Sequence, residues 1–171
     1  MTEAEEKVTS WMPLEGTSPI VRLKPGDLFF DPKPHRLSTL LGSCVSVCLW
    51  DEERRMGGMT HSMIPTGGTS RQHATDGSIH ELVRRMERAG CATSRMKAKL
   101  FGGFSPFRAL TMAGRIGVAN IESAVGVLRE YGLSIVARET MGEGGIVIYQ
   151  NTESGEVTGR LFSPLRQPAN P

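Results

Sequence analysis

The sequence predicts an α+β chain with a largely antiparallel sheet, and three observations carry that expectation. Val45-Ser46-Val47-Cys48-Leu49-Trp50 alternates and is rich in β-branched residues, the pattern of a strand. Two other segments repeat at helical spacing instead: Ile79, Leu82, Val83 and Met86, then Ile121, Ala124, Val125 and Leu128. Glycine-marked turns separate the short apolar runs, so the order reads strands, helix, strand, helix, strands.

Taken in order, residues 1–20 carry little pattern, contain Pro13 and Pro19, and are expected to be a flexible arm. Leu28-Phe29-Phe30 is a short apolar piece closed by Asp31-Pro32-Lys33-Pro34. After the Val45–Trp50 strand, residues 51–57 form a charged hairpin-like connection, and Gly58 to Ile64 reads as the partner strand. The first helix ends at Gly90 and a strand follows over Ala98–Phe101. The second helix is expected to start after a cap at Asn120 and to stop at Gly132. Leu133–Glu139, Ile146–Gln150 and Glu156–Phe162 read as strands, the last two joined by the turn Thr152-Glu153-Ser154-Gly155. Residues 164–171 are expected to be a flexible tail, which leaves a single domain over 21–163.

The bulk numbers exclude several function classes. A chain of 171 residues with 39% apolar and 22% charged residues suits one soluble globular domain rather than a disordered segment. A net charge of +2 gives no argument for nucleic acid as a partner. No run approaches the roughly 20 apolar residues of a membrane span. The acidic, polar start lacks the layout of a signal peptide. The three cysteines make an odd, sparse set unlike a disulfide framework, so a cytoplasmic protein with reduced thiols is expected.

The chemistry concentrates in two places. Cys44 follows the turn Gly42-Ser43 at the entry of a buried strand, and His61 lies seventeen residues on, at what reads as a similar turn-into-strand position. A thiol and an imidazole on neighbouring strands meet the minimum requirement for a cysteine nucleophile. Gly42 and Ser43 allow close approach of a substrate amide, and strand-entry N–H groups suit an oxyanion. Ser38, Thr39 and Thr60 are nearby hydroxyls able to orient the histidine; no Asp or Asn stands in an obvious orienting position.

The other candidates read as structural. Cys48 and Cys91 are expected to be small buried hydrophobes. His35, His73 and His80 sit in loop or exposed-helix contexts. Zinc is disfavoured because no short Cys/His pair spacing occurs, and Cys44 and Cys48 would lie about 13 Å apart on a strand. Gly102-Gly103 and Gly142-Glu143-Gly144-Gly145 match no nucleotide-binding pattern, so no metal or cofactor is expected.

The stretch Thr39-Leu40-Leu41-Gly42-Ser43-Cys44-Val45-Ser46-Val47-Cys48-Leu49-Trp50-Asp51, with Gly58-Met59-Thr60-His61-Ser62-Met63-Ile64-Pro65, resembles the CheD chemoreceptor glutamine deamidases of bacterial chemotaxis. Lys99-Leu100-Phe101-Gly102-Gly103, Ile116-Gly117 and Asn120 support the resemblance, which covers roughly residues 20 to 162. It implies a layered sandwich related to bacterial toxin deamidases. It also implies a Cys-His-Thr set, with Cys44 as nucleophile, His61 as base, and Thr39 or its neighbour Ser38 as the orienting hydroxyl. The implied substrate is a glutamine side chain on the cytoplasmic helical part of a chemoreceptor, and a CheC-type phosphatase is a possible partner. The loop from Thr66 to Gly77 is the expected part of the substrate face. A non-catalytic adaptor and a thiol hydrolase of another substrate class are the alternatives. Two places depart from the family pattern: where a double glycine followed by a basic residue is usual, Met141-Gly142-Glu143-Gly144-Gly145-Ile146 carries an acidic residue and no Arg or Lys, and Phe104 replaces an alanine.

Overall fold

Helix, sheet and sheet stack in three layers. The structure is a computed structural model, and it describes residues 19–67, 73–105 and 111–162. The expected arm up to residue 18, the tail from residue 163, and residues 68–72 of the expected substrate loop lie outside the described residues. Nine strands occur among the described residues: β1 Ile20–Arg22, β2 Leu28–Phe30, β3 Arg36–Leu41, β4 Val45–Asp51, β5 Met56–Thr60, β6 Met96–Gly102, β7 Ile135–Thr140, β8 Gly145–Asn151 and β9 Val157–Phe162. Two helices, α1 Thr75–Arg88 and α2 Met112–Glu130, separate β5 from β6 and β6 from β7.

One sheet runs β1-β3-β8-β9 and the other β2-β5-β4-β6-β7. Only the β1–β3 and β6–β7 pairs are parallel, so the core is mainly antiparallel, as expected. Alternation along β4 explains the layering. Val45, Val47 and Leu49 face the helices and pack with Ile79, Leu82, Met86, Ile121, Ala124 and Leu128. Cys48, on the opposite face, packs between the sheets with Met59, Phe101, Leu37, Leu41, Ile146 and Ile148. At about 1.5–3 kcal/mol for each large buried side chain, both interlayer cores are needed to offset the entropy of ordering the chain.

Several expectations are corrected. The sequence reading has no strand over Arg36–Leu41, yet this is β3, paired along six residues with β8. Its pattern is obscured because Ser38 and Thr39 are both buried while Leu40 is 58% exposed. Helix α2 starts at Met112 rather than after Asn120. Its N-cap is Thr111, whose hydroxyl accepts the Gly114 N–H at 3.1 Å. Gly114 and Gly117 dilute the helical pattern of this first part. Gly117 is required by a close crossing, since a Cβ there would meet the Gly103 carbonyl oxygen at 2.8 Å. The expected loop ends at Ala74, because Thr75, Asp76 and Gly77 form the first turn of α1. Strand β5 ends at Thr60, so His61 leaves a strand rather than entering one. Its N–H donates to the Asp27 carbonyl at 2.8 Å, and its own carbonyl accepts from Gly26 at 2.8 Å.

Candidate active site

Three residues carry the chain from one sheet to the other. Strand β3 belongs to the outer sheet and β4 to the sheet under the helices, so Gly42, Ser43 and Cys44 form an interlayer crossing. Each carbonyl of the crossing is held. The Phe104 N–H donates to Gly42 O at 2.8 Å and the Gly103 N–H to Cys44 O at 2.9 Å. The Asn120 Nδ2 donates to Ser43 O at 3.1 Å. Tight packing against Gly102 completes the arrangement: Gly102 has φ of +106°, and a Cβ on it would sit 2.2 Å from Cys44 O. Gly102→Ala is therefore expected to cost about 1–3 kcal/mol in thermal or denaturant unfolding and to push the Cys44 peptide out of place.

Register places Cys44 and His61 on one face. Val45 pairs with Ser62 and Cys48 with Met59, so Ser46 falls opposite His61 and Cys44 diagonally across from it. This face looks between the sheets, toward β3. Along β3, Leu37 and Leu41 point inward, and the alternation that directs them inward directs Thr39 inward too. Ser38 points to the other side of the strand. The structure thus brings Thr39, and not Ser38, to the histidine: Thr39 Oγ1 lies 2.7 Å from His61 Nδ1.

The hydrogen bonds define the tautomer of His61. Thr39 Oγ1 donates its one proton to the Leu23 carbonyl at 2.9 Å. Its oxygen is then the acceptor of the His61 Nδ1–H. That leaves Nε2 as the unprotonated nitrogen, and it is buried with no hydrogen-bond partner. His61 is 2% exposed, and burial lowers its pKa below the usual histidine value, against the opposing pull of the Leu23 carbonyl and the Asp27 carboxylate. Asp27 is a neighbour the sequence reading missed, because it lies on the strand-edge segment paired to His61 rather than near it in sequence.

The three thiols differ. Cys44 is half-buried, and burial raises its pKa while its own backbone N–H pulls it back. Burial pushes Cys48 up to about 12 and Cys91 up to about 11, and both are enclosed. Two of the other histidines are engaged elsewhere: His35 Nδ1 bonds the Lys33 carbonyl at 2.8 Å, and His80 Nδ1 meets the Tyr131 hydroxyl at 2.8 Å. Among the described residues, no group of three or more His, Cys, Asp or Glu side chains is placed to hold a metal ion. Beside the crossing lies an open cleft of about 630 Å³ between the β7–β8 turn and the start of α2, lined by Gly103, Ser105, Gly114, Met141 and Glu143. Met63, Met112 and Met141 are exposed apolar side chains in this part of the molecule.

An α+β domain that carries one accessible thiol on an interlayer crossing, with an oriented imidazole on the same face, has the parts of a thiol-dependent hydrolase. Comparison with known proteins narrows this class. The family model described as "CheD chemotactic sensory transduction" matches residues 63–160. A Methanococcus vannielii protein named "Probable chemoreceptor glutamine deamidase CheD" is 31% identical over 151 residues, 86% of this chain and 98% of that protein. Proteins of the same name from Rhodospirillum rubrum and Trichlorobacter lovleyi are 36% and 37% identical. They align over 82% and 79% of this chain and 81% and 86% of their own lengths. The chain belongs to the CheD family.

Proposed function

We propose that this chain is a protein-glutamine deamidase that converts glutamine side chains of chemoreceptors to glutamate with release of ammonia. Cys44 is the nucleophile, His61 the general base and Thr39 the hydroxyl that orients it. Family membership supports the activity. The observation that carries the residue assignment is the tautomer of His61, whose bonded Nδ1–H leaves a bare, buried Nε2 on the face shared with the thiol.

The chemistry follows from that arrangement. His61 Nε2 takes the Sγ proton, and the sulfur attacks Cδ of the glutamine, forming a C–S bond as the carbonyl electron pair moves to oxygen. A trans peptide directs its N–H opposite to its C=O. The donors that hold Gly42 O and Ser43 O therefore turn the N–H groups of Ser43 and Cys44 the other way, where they suit the oxyanion. Collapse breaks the C–N bond, and the proton on His61 leaves with ammonia. Water then attacks the thioester, His61 accepts its proton, and the C–S bond breaks to give glutamate and the thiol. The net reaction is glutamine plus water to glutamate plus ammonia.

The exposed Met63, Met112 and Met141 and the open cleft suit a protein substrate presented on a helix more than a small molecule held in a closed pocket. No described helix is long and apolar enough to cross a membrane, which accords with a cytoplasmic location, where the receptor helices are reached. The family resemblance adds a CheC-type phosphatase as a second partner, for which a pull-down with the purified pair is the test. The activity itself is tested by peptide mass spectrometry of a receptor cytoplasmic fragment. Conversion of specific Gln to Glu, with the chain intact and ammonia released, is expected. Binding without any mass change would favour an adaptor, and peptide-bond cleavage another hydrolase.

The direction of the two pKa shifts sets the pH profile. A lowered His61 and a raised Cys44 are both neutral at pH 7, so the resting pair is thiol and imidazole rather than an ion pair. Activity needs neutral His61, so kcat/KM is expected to fall only as pH drops through a value below the ordinary histidine pKa of about 6.5. The alkaline limb follows the thiol and lies above about 8.5, the ordinary cysteine value. A pH–rate profile of kcat/KM checks both limbs.

A further inference from the structure

We propose that Asn120 is a positioning residue for the thiol: by holding the Ser43 carbonyl it fixes the plane of the Ser43–Cys44 peptide and so aims the Cys44 N–H toward the reacting centre. The inference rests on the deamidase reading above.

Asn120 is fully buried in the middle of α2. Its helix neighbours Ile121, Ala124 and Leu128 enter the apolar core, where an amide is costly unless its polar atoms are satisfied. The polar atoms of Asn120 are used. Nδ2 donates to Ser43 O at 3.1 Å and to Met63 O at 3.3 Å, and Oδ1 lies 3.3 Å from Thr75 Oγ1, whose one proton it shares with the Ile64 carbonyl at 3.1 Å. Ser43 immediately precedes the thiol, and Met63 follows His61 by two residues. One side chain therefore ties the segments carrying thiol and base to α2 and, through Thr75, to the first turn of α1.

Planarity carries the effect to the sulfur. A peptide whose carbonyl is fixed has its N–H fixed as well, and a hydrogen bond accepted at the carbonyl strengthens the N–H as a donor. The Cys44 N–H is the group that offsets burial at its own thiol. It is also one of the two N–H groups assigned to the oxyanion. Without the Asn120 amide, the interlayer crossing keeps its ties at Gly42 O and Cys44 O, but the peptide between them is free to rotate.

A tie of this kind also adds stability, so the test needs a comparison on the same helix. Ser123, three residues further along α2, donates to the Pro65 carbonyl at 2.6 Å, a tie that involves neither Ser43 nor Cys44. Four variants of the full chain answer the question: Asn120→Ala, Thr75→Val, Thr75→Ser and Ser123→Ala. Four quantities are read for each: kcat and KM on a receptor fragment, the pH midpoint of Cys44 alkylation by iodoacetamide followed by peptide mapping, and the unfolding temperature. His61, with Asp27 acting on it, and the enclosed Cys48 are titratable side chains on the face Cys44 shares, and every variant keeps all three.

Asn120→Ala is expected to lower kcat roughly 10- to 100-fold with little change in KM, and to move the alkylation midpoint upward. Thr75→Val moves both in the same direction by less, and Thr75→Ser restores them. Ser123→Ala lowers the unfolding temperature but leaves kcat and the midpoint as in the wild type. Wild-type kcat and midpoint in Asn120→Ala overturn the proposal, as do equal changes in Ser123→Ala. If Asn120→Ala does not fold, Thr75→Val decides by the same two readouts. A wild-type chain that releases no ammonia, while its alkylation midpoint still moves with Asn120, would remove the deamidase reading and keep the positioning role.

Discussion

Replacing Cys44 by Ala is expected to abolish glutamate formation while leaving the fold and receptor binding in place. Removal of a nucleophile that acts as a unit with its base leaves only what binding and oxyanion contacts supply, so a fall of roughly 10⁴-fold or more is expected. The fold is expected to survive because Cys44 is only partly buried and sits at the rim of the intersheet core, so little buried surface is lost. The opposite pattern holds for Cys48, which is fully enclosed between Met59 and Phe101. Cys48→Ala leaves a small cavity and lowers stability by about 1 kcal/mol, with turnover preserved. Parallel assays of the two variants, by peptide mass spectrometry and thermal unfolding, separate chemistry from packing. Turnover that persists in Cys44→Ala would take the reaction away from this thiol. Cys44→Ser is the harder case: a hydroxyl keeps the shape but ionises far less readily than a thiol, so it too is expected to be nearly inactive.

The parts of the molecule legible from sequence were those whose side chains obey one period. β4 alternates cleanly because both of its faces are buried against different layers, and α1 shows its apolar stripe because it lies on a single sheet. β3 was missed because its inner face carries a hydroxyl: Thr39 interrupts the apolar set Leu37 and Leu41, and exposed Leu40 breaks the pattern from the other side. The same alternation would have separated Thr39 from Ser38, since only Thr39 shares the parity of Leu37 and Leu41. The start of α2 was hidden by glycines that let it cross Gly103 closely. Asn120 looked like a cap because buried amides inside helices are uncommon. Its role depends on carbonyls 77 and 57 residues away in sequence, which no local pattern displays. Asp27 was missed for the same reason.

Loss of the base gives the second large effect, and its gradation tests the tautomer argument. His61→Ala is expected to lower kcat roughly 10²- to 10⁴-fold, the usual contribution of general acid–base catalysis. Thr39→Val removes the oxygen that accepts the Nδ1–H and leaves a buried donor without that partner, at about 1–3 kcal/mol, or roughly 10- to 100-fold in kcat. Thr39→Ser keeps the oxygen in place and is expected to retain most activity. Ser38→Ala, on the far side of the same strand, is expected to be near wild type. The ordering distinguishes mechanism from damage. If the hydroxyl served only packing, Thr39→Val would be the mild change, because it preserves volume, and Thr39→Ser the harmful one, because it deletes a methyl group from a buried position. If the hydroxyl fixes which nitrogen of His61 is bare, the order is reversed, and steady-state rates with the four purified variants are sufficient to decide.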